Sequence, residues 1–447
     1  MGPAVKTRLP QNLDDEDQVQ SRFTIIIPEA ASKFPTHCMN LAQHLNYSCE
    51  AMTRLKMLTQ GTQALIIPGV VCHDTLAIAD FLDIPIYGAD PEVAHLYSTK
   101  SGARRIFQSA NVDMPPGECD VYTIQQLIEC LANLVTTYPH INSWLIKLDC
   151  QFDNRGAYVL DVERNLPTLP FVRRERAKAG AEWKHKSFQQ TSYLYVLNQL
   201  PKALSTCKPA NPASQGAYPT WDAFQAEYCR QGGIVEAVPA SDDVTNLTVD
   251  VEIEPNGKIS MLTCGDQIHS KPYYCWGWSC PQASVEADLL HQLTLRIAHQ
   301  AKARKIIGYV KITFMTFLDD ENCQHVWATG MKVSFFMFSF FLTTIFKVSP
   351  SDLLYMSKLL EFSTGTTLDA KQAKLEVEVE ALEKQTKEVQ IVPQRATGAS
   401  TTQMTRKNTT LSKVIRKQSR FAVISTQLLH TNLAILHYTG KLVMFIC

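Results

Sequence analysis

A chain of 447 residues, 45% of them hydrophobic, is long enough for roughly two to four domains with cores of their own. Its 43 Lys and Arg balance 43 Asp and Glu, so it lacks the basic excess with which nucleic-acid binders neutralise phosphate backbones, and that class of partner is excluded. Residues 1–21 are polar and acidic (Asp14, Asp15, Glu16, Asp17), with no apolar signal core, and read as a disordered N-terminus; the 13 cysteines, none in a CxxC pair, read as reduced thiols of a cytoplasmic protein.

The run RFTIIIP at 22–28 is a short apolar stretch closed by proline, the pattern of a buried strand. A helical stretch follows to about Leu58, then a second strand at 63–69 and a third within 80–88. Strands alternating with helices predict a parallel α/β unit over 22–97. From Ser98 the pattern is a helix, the segment 112–116, and another helix through Tyr138. Two strands, WLIKLD and AYVLD, flank a polar loop, and 163–215 reads as helices and loops around a variable insertion. A strand opens at Gly232. Residues 246–254 alternate apolar and polar side chains, turn at Pro255-Asn256-Gly257 and pair back with 258–262. An amphipathic helix spans 287–305, and 308–314 with 325–328 forms a last hairpin.

The apolar run at 334–346, bounded by Lys332 and Lys347, is shorter than the ~20 residues a membrane helix needs. It reads as an insertion over 334–348, with no membrane partner. Residues 349–368 read as a helix returning to the core, 369–418 as a charged helix and disordered linker, and 419–447 as a truncated element of a strand and a helix.

That order of pieces, over residues 22–331, resembles the ATP-grasp superfamily. Four stretches are similar to the IQ motif-containing protein H family within it: PTWDAFQAEYCRQGGIVEAVPASDDVTNLTVDVEIEPNGKI, GDQIHSKPYYCWGWSCPQASVEADLL, HVWATG and RFAVISTQLLHTNLAILHY. The resemblance implies an α/β and α+β fold. A Rossmann-like pre-ATP-grasp domain (22–97) would precede two ATP-grasp lobes (98–231 and 232–333) that close on ATP or ADP. It also implies carboxylate–amine ligase chemistry, regulation by calmodulin through an IQ motif, and a role in sperm development. No IQ pattern occurs here; the basic stretch 411–421 reads as a solvated linker end or a calmodulin-docking segment.

The resemblance also places site residues. Lys100 and Lys147 stand where two lysines contact phosphates. Lys147 can be read independently: Leu145, Ile146 and Leu148 make its strand buried, and a lysine there demands an anionic partner. Arg155 and Gly156 lie in the phosphate-covering loop, although by themselves residues 153–157 read as a hairpin turn. Glu236, Ala237 and Val238 match the hinge that reads adenine, with Glu236 on the exocyclic amine and the backbone of Ala237 and Val238 on the base edge. Asp242 or Asp243 would hold the ribose, or form only a polar turn. Magnesium needs hard oxygen ligands, yet the two positions expected to be acidic are Thr313 and Gly330, and Lys332 replaces an Asn. Asp319, Asp320 and Glu321 sit in the intervening turn, too far to substitute. These residues favour a nucleotide-binding scaffold with a damaged metal site over an active ligase or a pure interaction module.

Overall fold

A computed structural model describes residues 23–34, 39–151, 154–241, 243–271, 273–279, 282–319, 321–334, 433–438 and 441–446. The first apolar run forms strand β1 (Phe23–Ile26), followed by helix α1 (Cys49–Thr59), strand β2 (Ala64–Ile67) and helix α2 (His73–Leu82). Ile26, Leu55, Ile66, Ile78 and Leu82 share a small core. The third strand expected within 80–88 does not form. α2 runs on to Leu82 and is stopped by Asp83 in the left-handed region (φ 56°), leaving Ile86 only an isolated parallel bridge to Ile66.

Helices α3 (Pro91–Ser98) and α4 (Lys100–Ala110) lead into the rest of the molecule. Thr99 caps α4, its hydroxyl accepting from the Gly102 N–H at 2.9 Å. One face of α4 carries Ala103, Ile106, Phe107 and Ala110 into a large apolar core, while Lys100, Ser101 and Arg104 are buried on another.

Five strands form an antiparallel sheet ordered β3-β7-β4-β5-β6: β3 (Gly117–Val121), β4 (Ser143–Leu148), β5 (Ala157–Asp161), β6 (Lys208–Pro209) and β7 (Gly233–Ala237). Trp144, Ile146 and Leu148 of β4, Tyr158 of β5 and Val235 of β7 face one core. The alternation of a strand therefore turns Leu145, Lys147 and Glu236 to the opposite face. Strand β3 was illegible because GECDV offers Val121 as its one aliphatic residue. The helices Leu169–Ala179 (α5), Lys186–Leu204 (α6) and Trp221–Gln231 (α7) send Val172, Val196, Leu200 and Phe224 into the same core. Helices within the segment 163–215 thus pack on the core of this sheet.

A second antiparallel sheet, ordered β10-β9-β8-β11-β12, contains β8 (Val244–Ile253), β9 (Ile259–Lys271), β10 (Tyr274–Ser279), β11 (Gly308–Leu318) and β12 (Gln324–Val333). Gly257 makes the β8–β9 turn at φ 85°, as the Pro-Asn-Gly signature requires. Helix α8 (Ala287–Ala303) covers this sheet with Leu290, Ile297 and Ala301, packing on Val249, Ile312 and Phe314.

The described C-terminal residues form β13 (Leu433–Tyr438) and β14 (Lys441–Ile446), two strands where a strand and a helix were expected. They insert between the first two strands, giving the order β1-β14-β13-β2 with only β1–β14 parallel. The first unit therefore has a mixed sheet, not the parallel one that alternation suggested. Residues 1–22 and 335–432, with the readings made there of the apolar run, returning helix and linker, lie outside the described residues. No helix among the described residues is long and apolar enough to cross a membrane.

Gly102 makes a prediction of reversed sign. Gly→Ala in a helix ordinarily gains about 1 kcal/mol. Here the new Cβ would lie 2.0 Å from the Leu96 carbonyl oxygen and 2.9 Å from the Thr99 hydroxyl. Gly102→Ala should instead destabilise the chain by about 1–3 kcal/mol, read as a lower urea midpoint.

Candidate functional site

Burying a charge costs several kcal/mol unless a partner repays it, so where a fold buries its charges is informative. Among the described residues, the buried Lys, Arg, Asp and Glu side chains are Lys100, Arg104, Lys147, Asp149, Glu236, Asp250 and Lys311. Lys100 and Arg104 belong to α4, and the others lie on β4, β7, β8 and β11 or directly follow β4. The strand residues among them, Lys147, Glu236, Asp250 and Lys311, are on the faces turned away from the two large cores. Four cations against three carboxylates leave this region positive.

Glu236, 2% exposed, is the centre of the first group. Its Oε2 accepts from Lys147 Nζ at 2.6 Å and its Oε1 from Arg104 Nη1 at 3.2 Å. Burial alone would push the carboxyl pKa up; Lys147 and then Arg104 outweigh it and hold the group below its ordinary value. The other terminal nitrogen of Arg104 donates to the carbonyls of Pro115 and Gly117. The anionic partner demanded by Lys147 is thus supplied within the protein. Arg104 was missed by sequence reading; its signal was its position four residues after Lys100 on one helix face.

Lys100 Nζ donates to the Gln151 carbonyl at 2.7 Å, and its backbone N–H to the Asp149 carbonyl. Asp149, also missed, alternates with Lys147 along WLIKLD. It accepts from the backbone N–H and the hydroxyl of Ser101, each at 2.9 Å. Burial raises its pKa, and the Ser101 hydrogen bonds and the Lys100 charge only partly offset that.

The described residues of the loop between β4 and β5 include Asn154, Arg155 and Gly156. Arg155 is exposed, and Gly156 is buried with its carbonyl accepting from the Leu148 N–H at 2.8 Å. A Cβ at Gly156 would meet Gln151 Cγ at 2.6 Å, so the glycine is required for hairpin packing. The neighbouring Asn154 carbonyl accepts from Asn211 Nδ2 and the Ser214 hydroxyl. Asn211 Nδ2 also donates to the carbonyl of Tyr273, between β9 and β10, at 3.0 Å. The second sheet therefore touches this loop.

The backbone donors at the expected adenine edge are already engaged. The Ala237 N–H donates to the Pro116 carbonyl at 2.8 Å and the Val238 N–H to the Ser143 carbonyl at 3.0 Å. Both donors are committed to strand pairing, and Pro239 has none, so a base edge would have to be read through carbonyls and Glu236. Asp243 is exposed, and Asp242 lies outside the described residues.

On the last hairpin, Thr313 and Gly330 are register partners, one step from the pair Lys311 and Lys332. Thr313 offers one hydroxyl, Gly330 no side chain, and Lys332 a positive charge, so these residues do not fit a divalent cation. Among the described residues no group of three or more His, Cys, Asp or Glu side chains could hold a metal. Asp319 lies beyond the end of β11, roughly 20 Å along the strand from Thr313. It is paired with His325 at 2.8 Å. Asp320 is outside the described residues, and the Glu321 N–H donates to Asp319.

Replacing Glu236 by Gln should leave Lys147 and Arg104 buried without a counter-charge and cost about 3–5 kcal/mol of stability. Because the folded-state pKa of Glu236 is lowered, its contribution is fully present above the ordinary Glu value of about 4.3 and is lost as pH falls through the folded pKa. The gap in urea midpoint between wild type and Glu236→Gln should therefore be full at neutral pH and narrow progressively below about pH 4.3.

Over residues 91–371 the chain matches the family described as IQCH-like, ATP-grasp. It is 35% identical over 432 residues to IQ motif-containing protein H of Danio rerio, a match covering 96% of this chain and 36% of that protein's length. Among solved structures it is similar to the biotin carboxylase of Campylobacter jejuni, with 14% identity and a TM-score of 0.43 over 72% of this chain and 63% of that one. It is also similar to the D-alanyl-alanine synthetase A of Vibrio cholerae, with 15% identity and a TM-score of 0.36 over 61% of this chain and 70% of that one. The family match takes in α4, both five-stranded sheets and every buried charge described above, and on it the chain belongs to the IQCH-like ATP-grasp family.

Proposed function

We propose that the chain binds ATP or ADP against the buried-charge region between its two five-stranded sheets, as a catalytically impaired scaffold. In this reading 22–97 is a Rossmann-like unit, and 98–231 and 232–333 are the two lobes. The observation that carries it is the concentration of buried charge. A fold that places four buried cations against three carboxylates, on α4 and the facing strands, has spent stability on a site that attracts anions. Lys100 and Lys147 serve the phosphates, and Glu236 with the carbonyls of Ala237 and Val238 serves the base. Asp242 or Asp243 serves the ribose, and Arg155 and Gly156 cover the phosphates from their loop.

Catalytic impairment follows from the hairpin. A carboxylate–amine ligase would transfer a phosphoryl group from ATP to a carboxylate, and an amine would then displace phosphate from that acyl phosphate. Charge developing on the transferred group needs positioned cationic stabilisation. Thr313 and Gly330 give a magnesium ion no carboxylate to sit on. A cytoplasmic setting, a role in sperm development and calmodulin-linked regulation through regions absent from or weak in this chain belong to the same proposal; the basic stretch 411–421, read as a solvated linker end or a docking segment, lies outside the described residues.

Titration calorimetry of ATP and ADP tests the reading. Lys147→Met, measured on folded protein, should weaken ATP binding by about 1.5–3 kcal/mol, the range of a hydrogen bond to a charged group. Phosphate release from ATP should be undetectable; robust ATP hydrolysis by the unmodified chain would overturn the impaired reading in favour of the ligase. A Cβ at Gly330 would lie 3.9 Å from that of Thr313, so the hairpin has room for carboxylates. Thr313→Asp with Gly330→Asp and Lys332→Asn should therefore create magnesium-dependent ATP binding.

A further inference from the structure

The second sheet carries a charge pattern that the proposed nucleotide site has not yet used. Val310, Ile312 and Phe314 of β11, and Met331 and Val333 of β12, enter the apolar core. By strand alternation Lys311 and Thr313, and Gly330 and Lys332 across from them, share the opposite face. Lys311 and Lys332 are direct register partners. Like charges placed opposite one another destabilise a sheet, and here Lys311 is only 4% exposed, where water screens it least.

The row continues through Asp250 on β8, register partner of Lys311, and Thr263 on β9, whose hydroxyl donates to Asp250 at 2.9 Å. In that row two lysines stand beside one carboxylate, while the next carboxylate along β8, Glu252, accepts from the Tyr87 hydroxyl at 2.8 Å. Trp278 lies under Lys311, with the ammonium 5.7 Å from the ring centroid. A ring face holds an ammonium without cancelling its charge.

Lys332 Nζ donates to the Ser98 carbonyl at 2.6 Å, which brings it to the junction of α3 and α4 beside Lys100. The charges of Lys332 and Lys100 both reach the Cys150 thiol, where the loop after β4 begins; burial and Asp149 raise that thiol's pKa, and the two lysines act against the rise. The charges of Lys332 and of Lys100, at the start of α4, thus converge on the loop that would cover phosphates.

We propose that Lys311 and Lys332 neutralise the polyphosphate directly, so that this site takes a nucleoside triphosphate as the free anion, without a divalent cation. The inference rests on the nucleotide-binding reading and adds to it the form of the ligand. The missing carboxylates at Thr313 and Gly330 and the lysines one register step away are then two sides of one substitution: a protein-borne positive charge stands where a metal ion would otherwise supply it. A divalent cation held between these strands would be repelled by both ammoniums.

The test is calorimetric titration of the full chain with ATP and with AMP, in excess EDTA and again in magnesium. Lys311→Met keeps an apolar stem against Trp278, and Lys332→Gln keeps a donor for the Ser98 carbonyl. The second position is only half-buried, so it stays informative if the first variant unfolds. Wild-type Kd for ATP should agree within about threefold between EDTA and magnesium, while each variant should raise that Kd about tenfold or more and change AMP binding far less. A wild-type affinity that falls about tenfold or more on chelation, with both variants binding as wild type does, would overturn this inference and leave the nucleotide reading standing. Failure of the wild type to bind ATP in either buffer would overturn the nucleotide reading itself, and this inference with it.

Discussion

Glu236 between Lys147 and Arg104 is the constraint from which the arrangement of the first lobe follows. A carboxylate this deeply buried must find cations, and the two it finds come from different elements: a strand neighbour on β4 and a helix that packs chiefly on the other sheet. Arg104 also donates to the carbonyls of Pro115 and Gly117, so the guanidinium fixes α4 against the start of β3 as well as against β7. Because Ala103, Ile106 and Phe107 of the same helix belong to the second core, one ionic contact ties β7 of the first five-stranded sheet to a helix packed in the core of the second. Such a cluster adds little net stability compared with apolar residues of the same volume. Its effect is positional: the observed packing of α4 satisfies all three charges.

Much of this was legible locally. The buried strand in WLIKLD, the Pro-Asn-Gly hairpin and the amphipathic helix on the second sheet follow from alternation, turn chemistry and period, and each forms near its expected bounds. The need of Lys147 for an anion was also legible, because a lysine between Ile146 and Leu148 has no route to water. What could not be read was which anion. Glu236 is 89 residues away in sequence, and Arg104 43 residues away on the other side. The pairing of β14 with β1 crosses over 400 residues, so the first sheet looked parallel when judged from its two local strands alone.

What was not legible at the candidate site has the same origin. Whether the N–H groups of Ala237 and Val238 are available depends on register, and here the carbonyls of Pro116 and Ser143 occupy both. Lys311 drew no notice in KITF because it looks like a solvated lysine on an exposed face. Only the five-strand order, which puts β11 in the interior of the sheet with β8 and β12 on either side, explains why it is 4% exposed.

The two cations on Glu236 also differ in how they are held, and this decides which of them can exchange partners. Arg104 has three oxygen acceptors on two strands, so moving it would dismantle the lobe. Lys147 has a flexible stem and the single Glu236 contact at 2.6 Å. Were a phosphate oxygen to draw Lys147 away, Glu236 would keep Arg104 and would not be left as a bare buried charge, the most costly outcome for such a group. The triad therefore has one fixed cation and one transferable cation. Under the proposed nucleotide reading, that asymmetry would let an internal ion pair hold the fold and still yield a ligand contact, with Lys147 as the binding group and Arg104 as the architectural one.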